Sequence, residues 1–404
     1  MKKLLLSAFS CDPTKGSEPS NGWNWAIGLA QKGFEVHCIT RHVSRQGVES
    51  GNKPENLHFY YIQLPFGLEK LYSASQATMY LYYILWQWFA YKKACRLHKK
   101  ANFDIVQHVT WGSLQMGSFM YRLKIPFIFG PAGGGQVAPA AFKDYFREHW
   151  AAEEKREKVT RLMLKYNPAC KHMLRQASVV LVSNNDTLEM AKNNGAKNVV
   201  FTLDAALPQS FFPEKEVIKE LEPQRLKLLW VGRFMPRKGI LLLLDVMKEL
   251  KMYAGITLTV VGDGEMKDIF LEKLKEYGLE KSVFWKGRVP FETVRKFYAE
   301  NDVFFYTSLR DSCPAQLIEA MAFGMPVITI NLHGQALIVN DERGIKCDCD
   351  TPEIAIKNLA KAIVSLYENP RLVSLKSKSA YEFALQNQWG KKIAAIVQNN
   401  YPKI

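Results

Sequence analysis

Two carboxylates bracket one stretch of the chain. Asp311 and Glu319 stand eight positions apart in SLRDSCPAQLIEAMAFGMPVI, residues 308–328. Pro314 suits the first turn of a helix, and AQLIEAMAF is good helix-forming material. Gly324 and Pro326 stop that helix, and PVITI reads as a buried strand. Asp311 therefore falls in a loop and Glu319 one to two turns into the helix. Between them the helix start offers unpaired N–H groups and the positive end of a dipole, which together receive anions. A carboxylate on each side of an anion site suits a ligand with a phosphate centre and hydroxyls on both flanks, the layout of a sugar nucleotide. Alone, the spacing describes a capping Asp and an exposed Glu on an ordinary helix, so the chemistry has to be supported by the rest of the chain.

Support comes first from WVGRFMPRKG, residues 230–239. A strand ends at Gly232, Arg233 and Lys238 follow across a proline-containing turn, and a helix begins near Gly239. Two cations at the carboxyl end of a strand suit a diphosphate, Arg as a bidentate fork and Lys as a point charge. VVGDG (260–264) and FWKGRV (284–289) are strands running into glycine turns. Gly262 would let backbone approach a ligand closely, and the backbone of Lys286, Arg288 and Val289 could meet a nucleobase edge. In the first half, SCDPTKGSEPSNGW (10–23) is a long loop after a first strand. It is neither GxGxxG nor a GK[ST] P-loop, which disfavours a dinucleotide oxidoreductase and a P-loop NTPase. His108, in DIVQHVTWG, sits at a strand end facing the expected cleft. The glycines of FGPAGGGQ (129–136), Gly134 and Gly135 among them, mark a place where backbone must pass close to something.

The elements that must position these residues alternate strand and helix. KLLLSAF, EVHCIT, LHFYYIQL, DIVQHV, PFIFG, SVVLVS and NVVFTL punctuate the first half, and KLLWVG, ITLTVVG, SVFWKG, DVFFYTS and PVITI the second. Apolar, β-branched strands in β-α alternation imply parallel sheets covered on both faces. The fold expected is α/β: two facing Rossmann-like, doubly wound domains with ligands in the cleft at the carboxyl ends of the strands. A length of 404 residues, with 48% hydrophobic and 23% charged, accommodates two such cores. The expected divisions are a first domain over 1–205, a linker over 206–225 with three prolines and a charged run, a second domain over 226–385, and a helical tail over 386–404 containing Trp389.

The apolar run at the start of MKKLLLSAFSCDP is too short for a signal peptide and reads as a first strand. Seven scattered cysteines without a CxxC fit a reduced, cytosolic setting. The formal charge of +15 fits phosphorylated ligands or an anionic membrane surface, and the absence of any nucleic-acid-binding motif argues against nucleic acid. The stretch SQATMYLYYILWQWFAYKKACRLHKK (75–100) reads as a buried or half-buried helix, or as an interfacial one anchored by Trp86 and Trp88 with Lys92, Lys93, Arg96, Lys99 and Lys100 at its end. From Lys158 to Asn185 there is no acid, and Lys158, Arg161, Lys165, Lys171 and Arg175 make a basic helical face, solvated or in contact with anionic lipid.

GRFMPRKG, VVGDG, FWKGRV and SLRDSCPAQLIEAMAFGMPVI, in that order, resemble the family 4 glycosyltransferases of the GT-B fold, as do CDPTKGSEPSNGWNWAIGLA, HVTWGS and GPAGGG in the first half. The resemblance implies a retaining, metal-independent transferase without cofactor. It would move a hexose from a UDP- or GDP-sugar to a glycan acceptor, lipid-linked or not, in polysaccharide or envelope synthesis at the inner face of a membrane. It implies that Arg233 and Lys238 hold the diphosphate, that the N–H groups near Ala315, Gln316 and Leu317 meet the phosphates, and that Glu319 accepts from the ribose diol. Asp311, with Ser312 after it, would face the transferred sugar, His108 would lie near that sugar, and the loop from Gly16 to Gly22 would approach the phosphates. Gly232 closes the strand that leads to the clamp. Three departures stand out: Asp311 replaces the family's usual Glu, Ser312-Cys313 replaces a glycine-aromatic pair, and LDAALP replaces an Asn-Gly-Val-Asp run. The alternatives are an inverting GT-B transferase with His108 or Glu18 as base, a nucleotide-sugar epimerase, or a non-catalytic subunit of a polysaccharide assembly complex.

Overall fold

The structure is a computed structural model and describes residues 1–402. The chain forms two α/β units. The first gathers Met1–Gly135, Lys158–Ala206 and the chain from Trp389 on; the second gathers Gln136–Glu157 and Leu207–Gln388.

The first unit is built on seven strands: β1 (Lys3–Ala8), β2 (Glu35–Arg41), β3 (Leu57–Ile62), β4 (Ile105–Thr110), β5 (Phe127–Ala132), β6 (Val179–Val182) and β7 (Val199–Phe201). They pair in the order β3-β2-β1-β4-β5-β6-β7, every pair parallel. Alternation along β1 divides its leucines between two cores. Leu5 joins Val106, Phe127 and Val180 beneath the helix Gln76–Ala101. Leu4 and Leu6 join Trp25 and Leu29 of the helix Glu18–Gln31, together with Trp389, Ile393 and Ile396 of the helix Trp389–Asn400. Gly28 lets those two helices touch, since a Cβ there would lie 2.2 Å from Ile393 Cδ1. Trp25 and Trp389 meet edge to face at 6.3 Å.

The helix Gln76–Ala101 opens on a Ser75/Thr78 capping box and ends at Asn102 in the left-handed region. One face buries Tyr82, Tyr83, Trp86, Ala90 and Ala94. Gln87 is tolerated there because it donates to Tyr83 Oη at 2.8 Å and accepts from Ser118 Oγ at 3.3 Å. Leu81, Ile84 and Trp88 are 48%, 44% and 40% exposed, and their spacing places them on one helix face. The sequence paired Trp86 with Trp88 as interfacial anchors. Trp86 is instead core, and Trp88 alone reaches the surface. Among the described residues no helix is long and apolar enough to cross a membrane.

The second unit is built on β8 (Leu226–Val231), β9 (Ile256–Val261), β10 (Val283–Trp285), β11 (Val303–Tyr306), β12 (Val327–Ile330) and β13 (Gly344–Cys347), in the order β10-β9-β8-β11-β12-β13, again all parallel. Nothing in the residue pattern of β13 marked it as a strand. The order reverses between β8 and β11, so the loops leaving these two neighbours diverge at a topological switch point, where open parallel sheets bind ligands. The helix Ile240–Glu249, opening on ILLLL, is buried over most of its length.

Two segments lie differently from the expected divisions. Residues 136–157 were assigned to the first domain, yet Ala138, Phe142 and Phe146 belong to the second unit's core, and Tyr145 Oη donates to Asp245 Oδ2 at 2.7 Å. Residues 206–225 look like a linker in composition. Phe211 and Phe212 are nevertheless buried, and Lys219 Nζ donates to the carbonyls of Tyr298 and Ala299 at 2.9 and 2.8 Å.

Ile393 is fully buried against the helix Glu18–Gln31, so Ile393→Ala should cost about 2–5 kcal/mol. Urea melts check this; a loss under about 1 kcal/mol would mean that the site collapses around the deletion or that the last helix contributes little.

Candidate active site

The turn after β8 and the loop after β11 are bound to each other. Gly239 has φ +64, and a Cβ there would lie 2.1 Å from the Thr307 carbonyl oxygen, so only glycine suits the turn. Leu309 N–H and Ser308 Oγ both donate to the Arg237 carbonyl, at 2.9 and 3.1 Å, and Thr307 Oγ1 donates to that of Lys238 at 3.2 Å. This lattice brings Lys238 and Asp311 together.

Lys238 is 5% exposed. Its ammonium donates to Tyr306 Oη at 2.9 Å and to Asp311 Oδ2 in a close ion pair. Tyr306 Oη donates to the same oxygen at 2.6 Å, and Arg237 Nη1 lies 3.4 Å from it. Burial acts to raise the Asp311 pKa, but the charges of Lys238 and Arg237 and the hydrogen bonds from Lys238 and Tyr306 outweigh it and hold the carboxyl at about 2. Burial draws the Lys238 ammonium below its ordinary value, against the pull of Asp311. The next residue back, Arg310, is held by Glu153 at 2.8 Å, and Glu153 also meets Arg156 at 3.3 Å. The loop carrying Asp311 is thus anchored from both sides.

Glu319 lies in the helix Ala315–Met321 and is half-buried. Among the described residues its hydrogen-bond partner is Tyr298, whose hydroxyl donates at 2.8 Å. Burial raises its carboxyl above the usual range despite that bond. Of the backbone groups expected to meet phosphate, the Leu317 N–H is already bonded to the Pro314 carbonyl at 3.1 Å, which leaves Ala315 and Gln316. Ser312 N–H donates to Asp311 Oδ1 at 3.1 Å. Arg233 is exposed at the end of β8.

Other expected site residues serve the chain itself. A Cβ on Gly262, at φ +137, would lie 1.8 Å from the Gly232 carbonyl oxygen, so the close approach inferred there is backbone to backbone. The Lys286 N–H is committed to the Val260 carbonyl at 2.9 Å, whereas the side chains of Lys286 and Arg288 are exposed and Val289 is half-buried. Gly22 packs on the Ser10 carbonyl, where a Cβ would lie at 2.0 Å, and Gly135 packs on Met190 and the Asp186 carbonyl. Gly16 is exposed with open space around it, and Gly134, at φ +135, has only Gln115 within 4 Å of a Cβ. His108 does not face solvent. It is fully buried, with Nδ1 3.0 Å from Ser7 Oγ, Nε2 3.2 Å from Tyr83 Oη and its ring stacked on Phe129. Burial lowers its pKa to about 3, so the ring is neutral and structural. Arg237 and Tyr306 were missed. Arg237 could have been found as the second cation of PRKG, but nothing in DVFFYTS distinguishes Tyr306 from a core aromatic.

Residues 212–383 match the family described as glycosyl transferases group 1. An uncharacterized glycosyltransferase of Haemophilus influenzae is 29% identical over 385 residues, 92% of each chain. The amylovoran biosynthesis glycosyltransferase AmsD of Erwinia amylovora is 34% identical over 140 residues, 34% of this chain and 39% of that one. The chain spans less than half the length of the first two curated relatives it matches. Among solved structures, sucrose-phosphate synthase of Thermosynechococcus elongatus aligns with a TM-score of 0.68 over 98% of both chains at 18% identity. Anabaena HepE in complex with UDP aligns at 0.65 over 98% of this chain and 100% of that one, at 14% identity. At such identities the likeness is one of fold. The chain has the two-unit GT-B fold.

The low Asp311 pKa fixes a pH dependence. An unfolded aspartate titrates near 3.9, so Asp311 contributes about 2–3 kcal/mol that is fully present above that value and is lost as pH falls through about 2. The stability gap between wild type and Asp311→Asn should be constant above about pH 5 and close between about pH 4 and 2. Urea melts at stepped pH measure the gap, and a gap that persists at the acid end would refute the ion-pair account.

Proposed function

We propose that this chain is a retaining glycosyltransferase of family 4. It would move a hexose from a UDP- or GDP-sugar to a hydroxyl of a glycan or lipid-linked acceptor in polysaccharide or envelope synthesis. The observation that carries the proposal is the buried Lys238–Asp311 pair, with Arg237 beside it, at the switch point of the second sheet. AmsD, named for amylovoran biosynthesis, supports the polysaccharide setting, and HepE in complex with UDP favours a UDP-linked donor.

In this proposal Lys238, Arg237 and Arg233 take the donor diphosphate. A phosphate reaching Lys238 gives the ammonium a second anionic partner and frees Asp311 to accept from sugar hydroxyls. Glu319, with Tyr298 on one of its oxygens, accepts from the ribose diol. The bond between the anomeric carbon and the diphosphate oxygen breaks as the cations, already in place, stabilise the developing charge. The acceptor oxygen bonds the anomeric carbon on the same face, and its proton passes to the leaving phosphate oxygen. With these cations at the diphosphate, the step needs no divalent metal. Asp311 is a poor covalent nucleophile, because its Oδ2 already accepts from Lys238, Tyr306 and Arg237. The inverting alternative loses one of its bases, because both nitrogens of His108 are engaged. Lys238→Ala should lower kcat/KM by about 10²-fold or more, and NMR of the product should show the donor's anomeric configuration. Near wild-type turnover in the folded variant, or an inverted product, would overturn the assignment.

A cytoplasmic enzyme resting on the inner membrane face fits two helical stretches of the first unit. Leu81, Ile84 and Trp88 form one exposed apolar row, followed by Lys92, Arg96, Lys99 and Lys100. Val159, Leu162 and Tyr166 form another, 36%, 54% and 66% exposed, among Lys158, Arg161 and Lys165. Apolar rows flanked by lysine and arginine complement an anionic interface. The chain should co-sediment with vesicles containing phosphatidylglycerol at low salt and release at high salt, and Trp88→Ala with Leu162→Ala should weaken the binding. Absence of co-sedimentation at low salt would count decisively against membrane contact.

A further inference from the structure

We propose that Glu35, His37 and His58 form a binding site for a zinc-type divalent ion on the edge of the first unit's sheet. The parallel register of β2 and β3 sets His37 directly beside His58. Glu35, two residues before His37, shares its face of the sheet. One ligand atom from each of the three lies within 4.8 Å of the others. Glu35 Oε1 is 3.0 Å from His37 Nε2, already shorter than the roughly 3.3 Å edge that bonds of about 2.0–2.1 Å give a tetrahedral ion. His58 is exposed, and among the described residues neither of its ring nitrogens makes a hydrogen bond, so it is free to turn inward and complete the set.

The surroundings also suit a ligand set. His37 is 8% exposed, and its Nδ1 lies 2.9 Å from Tyr60 Oη. A partner on the second nitrogen fixes the ring and its tautomer, as the outer partners of metal-bound histidines do. With an ion on Nε2, Nδ1 carries the proton and donates it to the tyrosine oxygen. Lys3 lies 3.8 Å from the other carboxylate oxygen, Oε2, which leaves Oε1 to face the ion. Two imidazoles and a carboxylate select a zinc-type ion over magnesium and leave a fourth position for water. Glu35 opens β2 and His58 is the second residue of β3. The site therefore lies at the amino ends of these strands, whereas ligands of such sheets gather at the carboxyl ends. Its role is to tie edge strand β3 to β2.

The test is calorimetric titration of the full chain, stripped with chelator, using ZnCl2 and, in parallel, MgCl2. One equivalent of zinc should bind and magnesium should not. His58→Ala, an exposed change that leaves the core intact, should weaken zinc binding by at least about tenfold, and Tyr60→Phe, which removes only the outer partner, should also weaken it by about tenfold or more. Absence of zinc uptake, or a loss of less than tenfold in His58→Ala, overturns the proposal.

Discussion

A lysine ammonium at 5% exposure is the constraint to which the second unit is fitted. Removed from water, that charge costs several kcal/mol unless an anion and further hydrogen bonds surround it. Asp311 and Tyr306 supply them, and both come from the strand and loop next to the turn that carries Lys238. For Asp311 to reach Lys238, the two loops must run side by side, which is why Gly239 can bear no Cβ and why Ser308 and Leu309 bond back to Arg237. The Arg310–Glu153 pair then fixes the loop from its far side. The strand order places all of this at the reversal between β8 and β11, the one region of the sheet where neighbouring loops part and leave room for a ligand.

In the proposed reaction the same pair that stabilises the resting protein would also serve the chemistry. A buried cation held by a carboxylate is already desolvated and oriented, so on the proposed function little reorganisation would be left for the moment of bond breaking. Asp311 standing where the resemblance led one to expect a Glu also takes on a local meaning. Its carboxylate reaches Tyr306 and Lys238 and accepts a bond from Ser312 N–H on its other oxygen. A longer side chain from the same backbone position would carry its oxygens past these partners unless the loop shifted.

Much of this architecture was legible in the sequence because buried parallel strands are nearly unbroken apolar runs, and twelve of the thirteen strands read that way. The exception, β13, reads Gly-Ile-Lys-Cys, with no run of apolar residues to set it apart from a loop. Lys238, Asp311 and Glu319 were legible because charged residues stood at strand ends and a helix start. What stayed hidden was the use to which a residue is put once the chain is folded. His108 carries the right chemistry at a strand end, but its side chain turns into the core and bonds Ser7 and Tyr83. Gly262 was marked as a point where backbone approaches a ligand, but its close neighbour is the Gly232 carbonyl, and periodicity does not reveal whether an approaching partner is ligand or chain. Tyr306 was invisible because a tyrosine that ends a buried strand looks like any other core aromatic.

The two units interleave along the chain, meeting at junctions 135/136, 157/158, 206/207 and 388/389. Phe142 and Phe146, encoded within the first half, complete the second unit's core, and Trp389 and Ile393, encoded near the end, complete the first. A single genetic crossover near the middle of the gene would therefore leave both cores of each descendant with side chains drawn from both parents. Homologues are thus expected to diverge by loop substitution within a unit, because inheritance of an intact unit requires several coordinated exchanges.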